Sequence, residues 1–247
     1  MSTQKEFWNK EYGRMTRTGR VAPHLALSAE HSEDLEKFTR FLIRESGKKF
    51  LNVTAQALDI GCGNGRNLIY LAREFGMRGV GYDISETGIA LAKKSASELI
   101  EGPGLAQPKL EFFVQSMDEP IPLPDNSVTL VLDMMSSHIL LKAEREKLRS
   151  EILRVLKPGG WLFFKSFLLD DDAHARRLLR ESPAEEEGMY IHPEIKGAEY
   201  VWTEEAVREF FAPDFAIHRI EKSFKHKHAD GSAWKRRTIT AYLEKVR

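Results

Sequence analysis

The sequence predicts an α/β protein, doubly wound about a mostly parallel sheet and closing on an antiparallel C-terminal hairpin. Three observations lead there. From Gln56 onward, short apolar runs alternate with stretches of helical periodicity. The runs ALDI, GVGYDI and VTLVLDM are continuously apolar, as strands buried on both faces are. The last two runs, FAIHRIEKSF and TITAYLEK, instead alternate polar with apolar, which suits a hairpin at a sheet edge.

The elements follow in order. Residues 1–29 are polar with scattered aromatics and read as an irregular or short-helical lead. Leu35, Phe38, Phe41 and Leu42 recur at helical spacing, giving an amphipathic helix from Glu33 to about Ser46 with Ser32 as its N-cap. ALDI is a strand, followed by a helix from about Arg66 to Phe75; GVGYDI is the next, followed by a helix from about Glu86 to Leu99. Gly102-Pro103-Gly104 breaks the chain before the strand LEFFV. VTLVLDM leads to a helix from about Ala143 to Leu156, which Pro158-Gly159-Gly160 separates from the strand WLFFKSFLL. Asp170, Asp171 and Asp172 open a helix to about Glu181, their charges suiting its N-terminal dipole. Residues 182–202 form a long insertion, and Thr203 caps a helix to about Phe211.

Composition excludes several classes. Lys+Arg and Asp+Glu are both 37, so the chain is no global polycation. Its one cysteine, Cys62, excludes an intramolecular disulfide and a Cys-rich zinc site. No third ligand accompanies His226 and His228, so no metal site is expected. The N-terminus lacks a signal-peptide core, and no apolar run reaches the roughly 18 residues of a membrane span. A cytoplasmic protein with no membrane span is expected.

The chemistry concentrates at ALDIGCGNGRNLIYLA, where Gly61, Gly63 and Gly65 join a strand to a helix. Glycines there let backbone approach a ligand, and the helix N-terminus offers unpaired N–H groups. Asp83 ends the next strand about 20 residues on, where an acid can hold ribose hydroxyls. A nucleotide-type ligand follows. The dinucleotide fingerprint G-x-G-x-x-G would need a third glycine at position 66, which is Arg66, so a nicotinamide oxidoreductase is disfavoured. The acid before the glycines, Asp59, would repel a pyrophosphate and favour a cationic ligand end.

LDIGCGNG, VGYDIS, PLPDNSVTLVLDM and LKPGGWLFF, in this order and spacing, resemble four segments of the class I S-adenosylmethionine-dependent methyltransferases, over roughly residues 55–170. The resemblance implies a Rossmann-like fold with a seven-stranded sheet, and S-adenosylmethionine as cofactor. It also implies site residues. Asp59 should organise the amino end of the cofactor; Gly61, Cys62, Gly63, Asn64 and Gly65 should lie against its methionine and ribose portions. Asp83 should accept from the ribose hydroxyls and Ile84 pack on the adenine, while Ser116, Met117 and Asp118 border the adenine edge. That last segment departs from the family's frequent Gly-Asp-Ala, placing the acid at Asp118, one residue late. Thr129 likewise replaces a frequent Asp.

His138, just past the fourth strand, is the candidate general base; capping a helix or lining the cofactor pocket is its alternative reading. Asp133 is a candidate cofactor or substrate contact, and Tyr12 in FWNKEY a candidate lid. Phe7, Trp8, Tyr190, His192 and Trp202 are candidates to enclose a substrate, or else to anchor irregular segments to the core. The expected partner is a small-molecule methyl acceptor, within a single domain: lid and lead (1–54), cofactor core (55–170), and insertion with C-terminal strands (171–247). The alternatives are a non-catalytic cofactor-binding module, or a protein or RNA substrate docked on Lys222, Lys225, Lys227, Lys235, Arg236 and Arg237 beside Trp234. Nucleic acid is disfavoured, because DMMSSH is unlike the Asn/Asp-Pro-Pro-aromatic motif of base methylases. A solvated sheet edge is the more economical reading of the basic run.

Overall fold

The strands, in chain order, are β1 (Gln56–Ile60), β2 (Arg78–Asp83), β3 (Leu110–Val114), β4 (Val128–Met134), β5 (Leu156–Phe167), β6 (Met189–Ile191), β7 (Ala198–Tyr200), β8 (Phe215–Ser223) and β9 (Thr238–Lys245). Seven of them form one sheet in the order β3-β2-β1-β4-β5-β9-β8, while β6 and β7 pair as a separate ribbon. Pairings from β3 across to β5 are parallel; β9 runs antiparallel to both β5 and β8. This is a computed structural model, and it describes residues 2–18, 27–100, 109–223 and 236–246.

The helices are α1 (Ser2–Thr18), α2 (Glu33–Ser46), α3 (Arg66–Phe75), α4 (Glu86–Ile100), α5 (Lys142–Val155), α6 (Ala173–Glu181) and α7 (Glu204–Phe211). They divide between the two faces of the sheet. On one face Leu58 and Ile60 of β1 pack in a cluster with Leu148 and Ile152 of α5 and Val207 and Phe211 of α7. On the other, Ala57 joins Leu35, Phe38 and Leu42 of α2 and Leu68 and Leu71 of α3. Each central strand therefore supplies alternate residues to two cores, which is why its sequence reads as one continuous apolar run.

Where the chain departs from the sequence-based expectation, the causes are local. The N-terminal lead is a 17-residue helix, α1, whose polar sequence hid it. Strand β5 begins at Leu156, directly after α5, so Pro158-Gly159-Gly160 lies inside the strand, where the register with β4 shifts between Val128 and Leu130. Asp172 caps α6 by accepting from the His174 and Ala175 N–H groups, and Thr203 caps α7 through the Ala206 N–H. Ser32 precedes α2 in extended conformation without a side-chain cap bond.

Candidate active site

Strand order reverses between β1 and β4, so a crevice opens beyond their C-terminal ends. Two clefts occupy it. They share Gly61, Asp83, Ile84, Met117 and Ile139, and are therefore two ends of one site.

The glycine loop forms the floor. Gly61 has φ +67°, and a Cβ there would stand 2.5 Å from the Ser136 Cβ, so no side chain fits. Gly65 does a different job from the one expected of it. It starts α3 in the left-handed conformation, and a Cβ would meet Phe112 at 2.8 Å and Ala92 at 2.9 Å, so this glycine serves packing and does not line either cleft. Cys62 lines the cleft, but burial pushes its thiol well up, with Asp59 and Asp83 adding to the effect. It is a small filler and no nucleophile. The Asn64 amide donates to the Ser28 carbonyl at 2.9 Å, holding segment 27–32 against the cleft.

The acids are arranged unequally. Asp83 accepts the Gly63 N–H at 2.9 Å and the Ser85 N–H at 2.7 Å, tying the glycine loop to the β2–α4 turn. Each oxygen keeps a lone pair for a further donor. Burial pushes its carboxyl up, and the two N–H groups oppose this. Asp59 has one oxygen, Oδ2, buried with no partner. Burial pushes its carboxyl up to about 8; Arg66 opposes this, while Asp83 and Asp133 add to it. At the other end Ser116, Met117 and Asp118 line the second cleft, where Asp118 Oδ1 is also buried and unpartnered. Orphaned buried acceptors are costly, and each marks a place where a ligand donor fits. The opening at Gly61, an unpaired carboxyl oxygen at each end and a half-satisfied carboxyl between them suit S-adenosylmethionine, with its ammonium, ribose hydroxyls and adenine amino group.

Asp133 is not in either cleft. It is buried, and its Oδ1 accepts from the Ser136 hydroxyl at 2.8 Å and the Ser137 N–H at 3.2 Å. It secures the 3-10 turn Ser137–Ile139 that carries His138 into the first cleft.

Tyr12 of α1 is buried over the glycine loop, its hydroxyl filling the space that a Gly63 side chain would take, 1.9 Å from the ideal Cβ position. Helix α1 is fastened there by Asn9, whose carbonyl oxygen accepts from the Ser85 hydroxyl at 2.8 Å and the Thr87 N–H at 3.0 Å. Trp8 lines the first cleft and, with Phe7 and Leu27, packs on Ile195 of the β6–β7 turn. Tyr190 and Trp202, expected as possible substrate walls, are core residues at 0% and 3% exposure. His192 accepts the Glu194 and Ile195 N–H groups on Nδ1 and shapes the ribbon turn.

One residue of the site escaped sequence reasoning. Glu199 of β7 is buried beside His138, with Oε1 3.7 Å from the imidazole Nε2. Its other oxygen, Oε2, accepts from the Tyr190 hydroxyl and from Arg236. Burial alone would raise the Glu199 carboxyl; His138, Arg236 and Tyr190 together hold it well below the usual carboxylate range. No local signal marks it, because a lone Glu in a polar insertion pairs with His138 only through tertiary structure.

The basic run is partly consumed inside the fold. Lys222 pairs with Asp170 at 3.1 Å and Glu204 at 2.7 Å, Arg236 binds Glu199, and Arg237 lies 3.9 Å from Asp171. Lys225, Lys227, Lys235, Trp234, His226 and His228 lie outside the described residues. Among the described residues, no helix is long and apolar enough to cross a membrane.

Residues 58–164 match the model of a methyltransferase domain family. A fatty-acid O-methyltransferase of Mycolicibacterium smegmatis is 28% identical over 143 residues, covering 58% of this chain and 48% of that protein. The chain spans about half the length, or less, of the first curated relatives it matches. Among solved structures, a SAM-dependent methyltransferase of Methanosarcina mazei superposes with a TM-score of 0.65 at 22% identity, over 88% of this chain and 99% of that one. Geranyl diphosphate C-methyltransferase of Streptomyces coelicolor, solved with Mg2+, geranyl diphosphate and S-adenosyl-L-homocysteine, gives 0.63 at 17% identity, over 99% and 97%. The structural likenesses establish a Rossmann-like methyltransferase fold, and the stretch that is similar to the methyltransferase domain family coincides with the central strands and the glycine loop.

Proposed function

We propose that the protein transfers a methyl group from S-adenosylmethionine to a small organic acceptor whose nucleophilic atom carries a proton. The observation that carries this reading is the position of His138. It lines the first cleft beside Met134, Met135 and Trp8, and its Nδ1 is buried without a partner. An imidazole nitrogen with a spare lone pair beside the cleft suits proton removal from a hydroxyl or N–H.

The bound cofactor supplies a methyl on a cationic sulfur, which leaves as a neutral thioether with the electrons of the broken bond. The chain's residues do the remainder. Asp59 holds the ammonium, Asp83 takes the ribose hydroxyls, Ile84 packs on the adenine, and Asp118 receives its amino group. Tyr12 and Trp8 close the chamber and exclude water, so alignment of acceptor with methyl carries much of the rate. His138 accepts at Nδ1 the proton that the acceptor gives up as its lone pair joins the methyl carbon.

A small acceptor is supported by the enclosure: α1 and the β6–β7 turn meet over the cleft through Trp8 and Ile195. It is supported also by the basic residues, since the three that are described are bound internally. Calorimetric titration with S-adenosylhomocysteine tests the reading. The wild type is expected to bind in the micromolar range, and Asp83→Ala to lose at least about tenfold, the cost of about one charge-assisted hydrogen bond. No binding by the folded wild type would overturn it.

A further inference from the structure

Glu199 belongs to the insertion between β5 and α7, far along the chain from the glycine loop, yet it is buried beside His138. We infer that Glu199 is the positioning residue of this site: it fixes His138 as the Nε2–H tautomer and leaves the Nδ1 lone pair to take the acceptor's proton. The inference rests on the reading of His138 as base and names what makes it one.

The geometry supplies the reason. Glu199 Oε2 already receives two donors, the Tyr190 hydroxyl and the Arg236 guanidinium. Its Oε1 is left facing the imidazole Nε2 at 3.7 Å. An ionised carboxylate only accepts, so the ring nitrogen opposite it must carry the hydrogen. The other ring nitrogen, Nδ1, is then the acceptor, and it is the one without a protein partner. The ring plane is set by Phe167, edge-to-face at 4.9 Å and 80°, and Phe167 in turn has Arg236 over its face at 3.3 Å. Arg236 thus holds both the carboxylate and the ring that orients the imidazole.

The proton inventory balances. The acceptor begins as X–H and ends as X–CH3; its proton moves to Nδ1, giving an imidazolium that faces Glu199 through Nε2–H, and then passes to solvent. The carboxylate stays ionised throughout and stabilises the cation. At 3.7 Å the carboxylate acts on the ring chiefly through charge.

The substitution Glu199→Gln makes a sharp test because of Arg236 and Tyr190. Both are donors at the Oε2 position, so the amide oxygen must occupy it, which turns the NH2 towards His138. Nε2 then has to accept, and the hydrogen moves to Nδ1. Nitrogen-15 NMR of histidine-labelled protein, with the imidazole neutral, reads the tautomer directly; His138→Gln assigns the signal. Wild type is expected to show the Nε2–H form, and E199Q the Nδ1–H form, with S-adenosylhomocysteine binding unchanged within about twofold. A purely structural role for Glu199 would leave the tautomer where it was, and that result overturns the inference. Should E199Q fail to fold, Tyr190→Phe keeps the carboxylate with one donor fewer, and the wild-type spectrum alone is decisive: a predominant Nδ1–H form refutes it. Failure of the cofactor to bind wild type would instead overturn the proposed function, so the two outcomes are separable.

Discussion

At the scale of the residue, the site is built from acids placed where a folded chain on its own would not want them. Asp59 is 2% exposed, and its Oδ2 has no partner. A carboxyl raised to about 8 in the folded state, against about 3.9 when unfolded, binds more protons folded than unfolded between those values. Stability from this group therefore falls as pH rises through that window. Asp59→Asn removes the penalty. In the absence of cofactor the variant is expected to gain about 2 kcal/mol over wild type between pH 5 and pH 8 in denaturant titrations, a part of the full linkage. It should also lose most of its affinity for the cofactor ammonium. Wild type at pH 7 should release close to one proton on binding S-adenosylhomocysteine, measurable by calorimetry in buffers of different ionisation enthalpy.

At the scale of the element, what holds α1 in place is a short list. Asn9 supplies two hydrogen bonds to the β2–α4 turn, one of them to the Thr87 N–H in the first turn of α4, and Lys5 adds an ion pair with Glu86 at 2.6 Å. The ion pair is largely exposed and contributes little. Asn9→Ala should therefore loosen the lid while sparing the sheet. The expected result is a roughly tenfold faster release of S-adenosylhomocysteine in stopped-flow measurements, equivalent to about 1.4 kcal/mol, with only a small drop in melting temperature. This element also shows the limits of reading a sequence. The seven strands of the main sheet and α2–α7 were legible because each carries its own periodicity, cap or glycine punctuation. Helix α1 was not, since its apolar residues contact the cleft and the ribbon turn, partners that a local pattern does not announce. The same holds for the 182–202 insertion: Tyr190, Glu199 and Trp202 looked like loop residues and are buried. Gly65 packs against Phe112 and Ala92, and Asp133 binds the Ser136–Ser137 turn; a motif locates a residue without saying which way it faces.

At the scale of the whole molecule, labour is divided between the sheet and what covers it. The acids and glycines assigned to the cofactor end or follow β1, β2 and β3, within one continuous stretch of chain. The cover of the cleft is assembled from three distant places: α1, the Ser137–Ile139 turn and the β6–β7 ribbon, the last locked by Arg236 at the head of β9. Short-range sequence order could reveal the first half, and only the fold reveals the second.

The seat of Asn9 on Ser85 and Thr87 has a kinetic consequence. Ser85 also gives its N–H to Asp83, so the turn that anchors the lid is the turn that steadies the ribose carboxylate. On the proposed function, Tyr12 over Gly63 covers the nucleoside, and Trp8 lines the same cleft. Turnover should therefore be ordered, with S-adenosylmethionine first on and S-adenosylhomocysteine last off. Steady-state inhibition by S-adenosylhomocysteine should be competitive against S-adenosylmethionine and non-competitive against the acceptor; a random-order pattern would mean that the lid moves independently of the turn beneath it.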